Sequence, residues 1–276
     1  MKLSLLKSPT QWKDSMGIAF AILAAIETIL GISGIPLNSV MINQKWWEIL
    51  FIVIGTYLIM VFCVYIMISF VTRRGISIKV NGITVKIQQD DLFMLDGWKV
   101  IPFNEFFDTT VDEDIIVKSS LNGEFILKHV DSIKALKKAI NTDEGSLLNA
   151  MKTPDNRYKY PLGRIKRYGN NFMLLAFTHT DEQKMARINM RDYFYCLMNM
   201  WKEISRTYAN RPVCLPLLGS GITRFDDMPN KCNIDLLKCM IFSLKASGEN
   251  INQTVTIVLS KEVMSSINIY EVKGIK

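Results

Sequence analysis

The sequence predicts an α/β fold, a mixed sheet with helices on its faces, behind a two-helix transmembrane hairpin. Three observations predict it. Ile49 through Val71 contains no charged side chain. Ile76–Ile87 alternates apolar and polar residues on both sides of an Asn-Gly pair. From residue 172 onward strand patterns alternate with helical ones, which puts helices on the faces of a sheet. The organisation that follows is a hairpin over residues 1–74, with spans at about 16–35 and 49–71, and a second domain over 75–276.

As a helix the uncharged run measures roughly 35 Å, enough to cross a bilayer core. Trp46 and Trp47 precede it and Arg73 and Arg74 follow it, as interfacial residues should. The first span is interrupted only by Glu27, and its length and the strong span close behind it argue against a cleaved signal peptide. The turn between the spans carries Gly34, Pro36 and Asn38 and a single base, Lys45. Lys2, Lys7 and Lys13 precede the first span, and Arg73, Arg74 and Lys79 follow the second, so both ends and the second domain face the cytoplasm.

Gly17, Ala21 and Ala25 recur every four residues, a small-residue face that lets helices approach closely in lipid. Glu27 is costly in hydrocarbon and must face a helix, water or a proton. Two readings stand. Several hairpins assemble through the small face with Glu27 lining or triggering a pore, or the face packs hairpin on hairpin and Glu27 bonds to the second span.

The second domain opens with the hairpin Ile76–Ile87, turning at Asn81-Gly82. Asp90 and Asp91 end its second strand, and Lys99–Asn104 reads as a short buried strand closing in a polar turn. Ile115–Phe125, with Ser119, Ser120, Leu121, Asn122 and Gly123 at its centre, reads as a small-residue loop. Asp131-Ser132 caps a short helix. Residues 152–171 are turn-rich and basic with tyrosines interleaved, which suits a nucleic-acid surface or a solvated loop near a ligand or membrane face. Phe172–Phe177 is a buried strand, and about Asp181 to Tyr208 keeps helical spacing. A strand from Val213, a helix over 231–247 and a strand over 254–259 complete the chain.

Between that strand and helix lies Leu218-Gly219-Ser220-Gly221-Ile222-Thr223-Arg224-Phe225. A strand, a Gly-x-Gly turn and a helix present backbone N–H groups and a positive helix end to an anion. Both glycines would permit positive φ and close approach to a phosphate; a plain βα turn has the same composition. Arg224 suits a charge-assisted bond to a phosphate or a free surface position. Phe225 suits stacking on a base or ribose, or packing under the loop. Asp226 and Asp227 would cap the helix that follows.

Composition bounds the function more loosely. The net charge of +7 suits an anionic ligand, an anionic membrane face or nucleic acid without choosing among them. The five cysteines are odd in number and form no Cys-x-x-Cys pair, which fits reduced thiols used as small apolar residues. His129 and His179 are the only histidines, and neither a metal constellation nor a nucleophile–base pair is visible.

The run Asp91-Leu92, Val100–Asn104, Ser119–Phe125 and Pro216–Phe225 resembles the macro-domain family, over roughly residues 75–270. Pro216, Gly221, Ile222 and Phe225 match that family's second loop, Pro-x-x-x-x-Gly-Ile-x-x-Phe. The resemblance implies a macro-like three-layer α/β/α sandwich, no cofactor, and an ADP-ribose derivative as ligand. It implies that Asp91 or Asp90 accepts from the adenine amino group and that Asn104 lies near the distal ribose. The two loops would flank the diphosphate. The first loop keeps one glycine where hydrolytic macro domains carry a run of them, which implies recognition without turnover.

Two spans ahead of such a domain resemble the membrane effectors of type II Thoeris anti-phage systems. That resemblance implies a signal made by a TIR-domain enzyme, a homo-oligomer in the bacterial inner membrane, and membrane disruption or a pore. The alternative in another class is a membrane-anchored ADP-ribosyl hydrolase. A nucleic-acid-binding membrane protein using residues 152–171 ranks last.

Overall fold

The computed structural model describes residues 8–33, 45–111, 116–142, 150–181, 183 and 185–275. Lys2, Lys7, the turn residues Gly34, Pro36 and Asn38, and Ile115 lie outside the described residues. The chain divides into two compact units: residues up to Gly75 together with Asn268–Gly274, and a second built on Ile76–Ile267.

The first unit holds α1 (Pro9–Ile32) and α2 (Trp46–Thr72), both long and apolar enough to cross a membrane. Helix α1 starts earlier than the apolar run because Ser8 caps it, its hydroxyl accepting from Gln11 N at 3.3 Å, with Pro9 at the first helical position. Gln11, Ser15 and Ala19 form its buried face, and Val61, Val64 and Tyr65 that of α2. Trp12 stacks on Tyr65 at 4.4 Å. Gln11 Nε2 donates to the Tyr65 carbonyl at 3.0 Å and to Ser69 Oγ at 2.7 Å. A 3-10 turn at Ile269–Gly274 closes the base of the pair. Asn268 Nδ2 donates to Gln11 Oε1 at 2.8 Å, and the Tyr270 hydroxyl to Asp14 Oδ2 at 2.6 Å. Gly17, Ala21 and Ala25 are exposed, on a face centred about 120° from the buried one. Glu27 is exposed too and makes no hydrogen bond to α2 among the described residues.

The second unit is a mixed sheet between helical layers. Its elements are β1 (Gly75–Val80), β2 (Ile83–Gln89), β3 (Trp98–Asn104), α3 (Leu121–His129), α4 (Ile133–Thr142), β4 (Met151–Lys152), β5 (Tyr158–Lys159), β6 (Ile165–Tyr168), β7 (Phe172–Thr180), β8 (Ala186–Ile188), α5 (Met190–Thr207), β9 (Val213–Pro216), β10 (Arg224–Phe225), α6 (Asn233–Ser247), β11 (Val255–Leu259) and α7 (Lys261–Ser266). Strand order is β1-β2-β11-β9-β3-β7-β8-β10, with β6 beside β7. Strands β2, β11, β9, β3 and β7 run parallel, while β6 and β8 pair with β7 antiparallel. Asn81 and Gly82 take φ of 48° and 84°, the type I′ geometry that the Asn-Gly pair predicts.

Side chains alternate across the sheet. Ile101, Phe103, Leu174 and Ala176 meet Phe125, Ile126, Leu136 and Ile140 of α3 and α4. On α5, Tyr193 meets Phe177 edge-on and Cys196 Sγ bonds to the Ala176 carbonyl, while Trp201 Nε1 donates to Ser243 Oγ of α6 at 2.9 Å. From β3 the chain moves outward to β7, and from β9 outward the other way to β11. The junction of β3 and β9 is thus a topological switch point, with a crevice beyond the carboxyl ends of the strands.

Three elements depart from the sequence reading. Residues 121–129 are helix, not loop: Ser120 is its N-cap, with Oγ accepting from Gly123 N at 3.0 Å, and a helix opening Leu-Asn-Gly has too few apolar repeats to show. The expected long helix from Asp181 begins only at Met190, where Asn189 caps it. Asp181 instead accepts from Met185 N (2.7 Å) and Arg187 Nε (2.5 Å), closing a turn into β8. Asp226 and Asp227 do not cap α6, which begins after Cys232 without a side-chain cap. Asp227 accepts from Met190 N at 3.0 Å and so serves the first turn of α5, and Asp226 pairs with Arg187 at 2.9 Å.

Candidate functional site

The crevice at the switch point opens into a cavity of about 270 Å³. Its floor is the strand ends: Pro102–Asn104 of β3, Phe177, Thr178 and Thr180 of β7, and Ala186 of β8. One wall is Ile116 with Ser119–Asn122, the entry to α3. The other is Pro216–Thr223, the segment leaving β9. No lining residue among those described carries an ionisable side chain. Two lining side chains present buried oxygens without partners among the described residues, Asn122 Oδ1 and Thr180 Oγ1. Such atoms are costly to leave unpaired, so they suit hydrogen bonds to a polar ligand.

The first wall is held by a close backbone approach. A Cβ on Gly123 would stand 2.4 Å from the Val117 carbonyl oxygen, so only glycine fits beneath the wall. Ser120 N donates to that same carbonyl at 2.9 Å. The positive end of α3 therefore lies at the cavity.

The second wall is held differently. Gly219 has φ of +82°, and a Cβ there would meet the Phe225 ring at 3.0 Å. Gly221, in contrast, has ordinary φ and open space around it, so the expected positive φ belongs to Gly219 alone. Tyr193 OH donates to the Leu218 carbonyl at 3.1 Å, and Ser220 Oγ to that of Leu217 at 2.7 Å. Lys231 Nζ donates to three loop carbonyls: Gly219 (2.7 Å), Gly221 (2.8 Å) and Thr223 (2.6 Å). Burial lowers the Lys231 ammonium pKa from its ordinary value.

The residues singled out from sequence separate into two groups. Asn104, Ser119–Asn122 and Leu218–Thr223 come together around one cavity. Asn104 spends its side chain on a turn, donating to Asp108 Oδ2 at 2.8 Å and accepting from Asp108 N at 3.1 Å. Gly123, Asp90, Asp91, Arg224 and Phe225 do not line the cavity. Asp91 caps the turn Leu92–Met94, accepting from Phe93 N at 2.9 Å, and Asp90 accepts from Asp91 N and Gln88 Nε2. Phe225 is buried under Gly219, edge-on to Tyr193, while Arg224 is exposed on β10.

Sequence reasoning missed Thr178, Thr180, Ala186 and Lys231. It also missed the pairing of His179, which sits beside the floor. Its Nδ1 is 2.5 Å from buried Glu105, which also pairs with Lys159 at 3.2 Å, and its Nε2 is 3.4 Å from Asp192. The Glu105 hydrogen bond raises the His179 pKa. With a carboxylate near each ring nitrogen, the protonated ring is favoured, and both nitrogens face partners.

Compared with known proteins, residues 85–260 match the family model described as Thoeris protein ThsA, Macro domain. The Thoeris protein ThsA of Bacillus amyloliquefaciens (strain Y2) is 33% identical over 239 residues, covering 82% of this chain and 78% of that protein. Among solved structures, the Oceanobacillus iheyensis macrodomain with MES bound aligns at TM-score 0.49 and 13% identity, covering 73% of this chain and 96% of that one. A glycine-to-valine mutant of the same macrodomain with ADPR aligns at TM-score 0.48 and 13% identity, covering 73% and 98%.

Proposed function

Because this chain belongs to the Thoeris ThsA macro-domain family, we propose that its cavity receives an ADP-ribose-type signal and that its two apolar helices turn that signal on a membrane. The observation that carries the reading is the cavity itself. It lies at the switch point, between the entry to α3 and the Gly219–Thr223 segment, with no ionisable side chain among the described residues of its walls. The backbone N–H groups of Gly219, Gly221, Ile222 and Thr223 make no hydrogen bond among the described residues. Unpaired N–H groups and a helix N-terminus suit a diphosphate, and the orphaned oxygens of Asn122 and Thr180 suit the hydroxyls of a ribose.

The signal is an ADP-ribose derivative made by a TIR-domain enzyme during infection. The helices sit in the inner membrane as a multi-pass hairpin, with both termini and the sheet unit in the cytoplasm. Ligand binding selects one arrangement of the sensor, and that arrangement favours assembly of hairpins into a pore or a membrane-disrupting oligomer. The exposed Gly17-Ala21-Ala25 face supports association between copies, because it is not spent on α2. Glu27, exposed in a long apolar helix and without a partner among the described residues, supports a role inside that assembly. A lining of apolar side chains, amides, hydroxyls and backbone, with no ionisable group among the described residues, supports recognition over hydrolysis.

The test is dye release from liposomes carrying the full chain, titrated with ADP-ribose and its conjugates. Release should rise with ligand in the wild type and be lost in Gly221→Glu, whose carboxylate would enter the anion site. Release indifferent to both overturns the reading. Repeated turnover of ADP-ribosylated protein would put hydrolysis in place of recognition.

A further inference from the structure

We infer that Lys231 is a positioning residue for the anion site: by holding the Gly219 and Gly221 carbonyls it turns the Ser220 and Ile222 N–H groups away from itself, and the Ile222 N–H, without a partner among the described residues, is the one it leaves for the ligand. The inference rests on the cavity's being an anion site, as proposed above. The geometry begins with three bonds. A single ammonium takes the carbonyls of Gly219, Gly221 and Thr223 at 2.6 to 2.8 Å, which uses all three of its donors on alternate peptide units. Its charge also lies 5.7 Å from the centre of the Phe225 ring, the ring that fills the space under Gly219.

A peptide unit is planar and, here, always trans. Its N–H therefore points opposite to its carbonyl. Fixing the Gly221 carbonyl on Lys231 turns the Ile222 N–H away from the lysine, and fixing the Gly219 carbonyl does the same for the Ser220 N–H. Ser220 N reaches the Leu217 carbonyl at 3.3 Å, a long bond. Ile222 N has no partner among the described residues. Both residues line the cavity.

The alternative conformation is a flipped peptide, which would point a carbonyl oxygen at the anion. Gly221 has room and no steric restraint, so nothing in its own geometry prevents that flip. The ammonium does, because a flip would strip a partly buried charge of one of its bonds. Lys231 thus acts on a ligand that it does not touch, through the backbone between them. Its positive charge also favours an anion across the loop.

The experiment compares wild type, Lys231→Met and Lys231→Arg as full chains in detergent. Two readouts are used: calorimetric affinity for ADP-ribose and for adenosine, and hydrogen exchange of the amides of residues 219–223. Lys231→Met should weaken ADP-ribose by about tenfold or more while adenosine, which lacks the diphosphate, changes less than about twofold. Lys231→Arg should recover part of the loss. Exchange in residues 219–223 should rise in Lys231→Met while β9 and β11 keep their protection. An equal loss for both ligands, or an unchanged ADP-ribose affinity, overturns the inference. If wild type binds no ADP-ribose, the proposed ligand falls, and exchange alone then decides: unchanged exchange in Lys231→Met removes the positioning role too.

Discussion

The two units of this chain differ in the polar share of what they bury and in the apolar size of what they expose. In the sheet unit the interior is apolar: Val85, Ile87, Val100, Ile101 and Leu215 are all fully buried. In the helical unit the cap Ser8 and Gln11, Ser15 and Ala19 of α1 are all at 0% exposure and face Val61, Val64 and Tyr65 of α2, while Phe20, Phe51 and Phe70 are 68–69% exposed. One unit is built for water outside. The other leaves large apolar side chains on the outside of two helices long and apolar enough to cross a membrane; in hydrocarbon, apolar contact gives no preference for the inside, and packing would rest on small residues and interhelical hydrogen bonds. The difference teaches that apolar periodicity locates a core only where the surroundings are polar.

The largest test of that contrast is truncation. Ile101→Ala at the centre of the sheet should cost about 2–5 kcal/mol, the transfer and cavity cost of a buried large-to-small change. Phe51→Ala on the exposed side of α2 should change the stability of the folded chain in detergent by no more than about 0.5 kcal/mol. Urea titrations of both variants measure the difference. Equal costs would break the comparison, because Phe51 would then have to be packed in a protein interior.

A smaller effect tests the polar interior of the helical unit. Gln11 joins three partners: the Tyr65 carbonyl, Ser69 and Asn268. In the sheet unit an apolar residue at such a position would stabilise. Here Gln11→Leu should destabilise by about 1–2 kcal/mol, because Asn268 Nδ2 loses the Gln11 Oε1 acceptor and the two helices lose their shared bonds. Hydrogen exchange of residues 268–274 reads it, with faster exchange expected. A stabilised variant with slower exchange would show that both units obey the same rule.

The two glycines of the second wall sharpen the contrast between local geometry and composition. Gly219→Ala must place a side chain at φ +82° and 3.0 Å from a ring, a cost of about 1–2 kcal/mol. Gly221→Ala meets open space at an ordinary φ and should cost less than about 0.5 kcal/mol. Thermal melts of the two variants separate them. Similar losses would mean that the loop is strained at both positions.

That asymmetry marks how far the sequence could be read. The two long apolar helices, the Asn81-Gly82 hairpin and the strands feeding the cavity were legible, because each is written in local composition, periodicity or turn chemistry. Both walls of the cavity were legible as segments. What they do was not, since a Gly-Ser-Gly run has the same composition whether one glycine or two is strained. Ser119–Gly123 hid a helix, because its start is a cap and a close backbone approach to Val117 rather than an apolar repeat. Lys231 was invisible for a stronger reason: its role rests on three carbonyls 8, 10 and 12 residues away, and no pattern in a polar loop encodes them. His179 likewise finds Glu105 at a separation of 74 residues.

The smallest expected effect comes from that pair and belongs to the sheet unit alone, since neither histidine lies in the helical unit. The short contact to Glu105 raises the folded-state pKa of His179, with Asp192 adding to the effect, while burial and Lys159 oppose it. A raised folded pKa stabilises the fold in full below the unfolded value of about 6.5 and loses that contribution as pH rises through the folded value. Stability of the sheet unit should therefore fall from pH 6 upward by an amount that solvent screening at this half-exposed ring limits to about 1 kcal/mol. His179→Gln keeps a hydrogen-bonding side chain without a titrating charge, so its stability should be flatter over the same range. The helical unit, followed by exchange at residues 268–274, should show no matching step through the histidine range. A wild-type profile that rises between pH 6 and 8, or a Gln variant that keeps the wild-type slope, would mean that the Glu105 carboxylate does not govern this histidine.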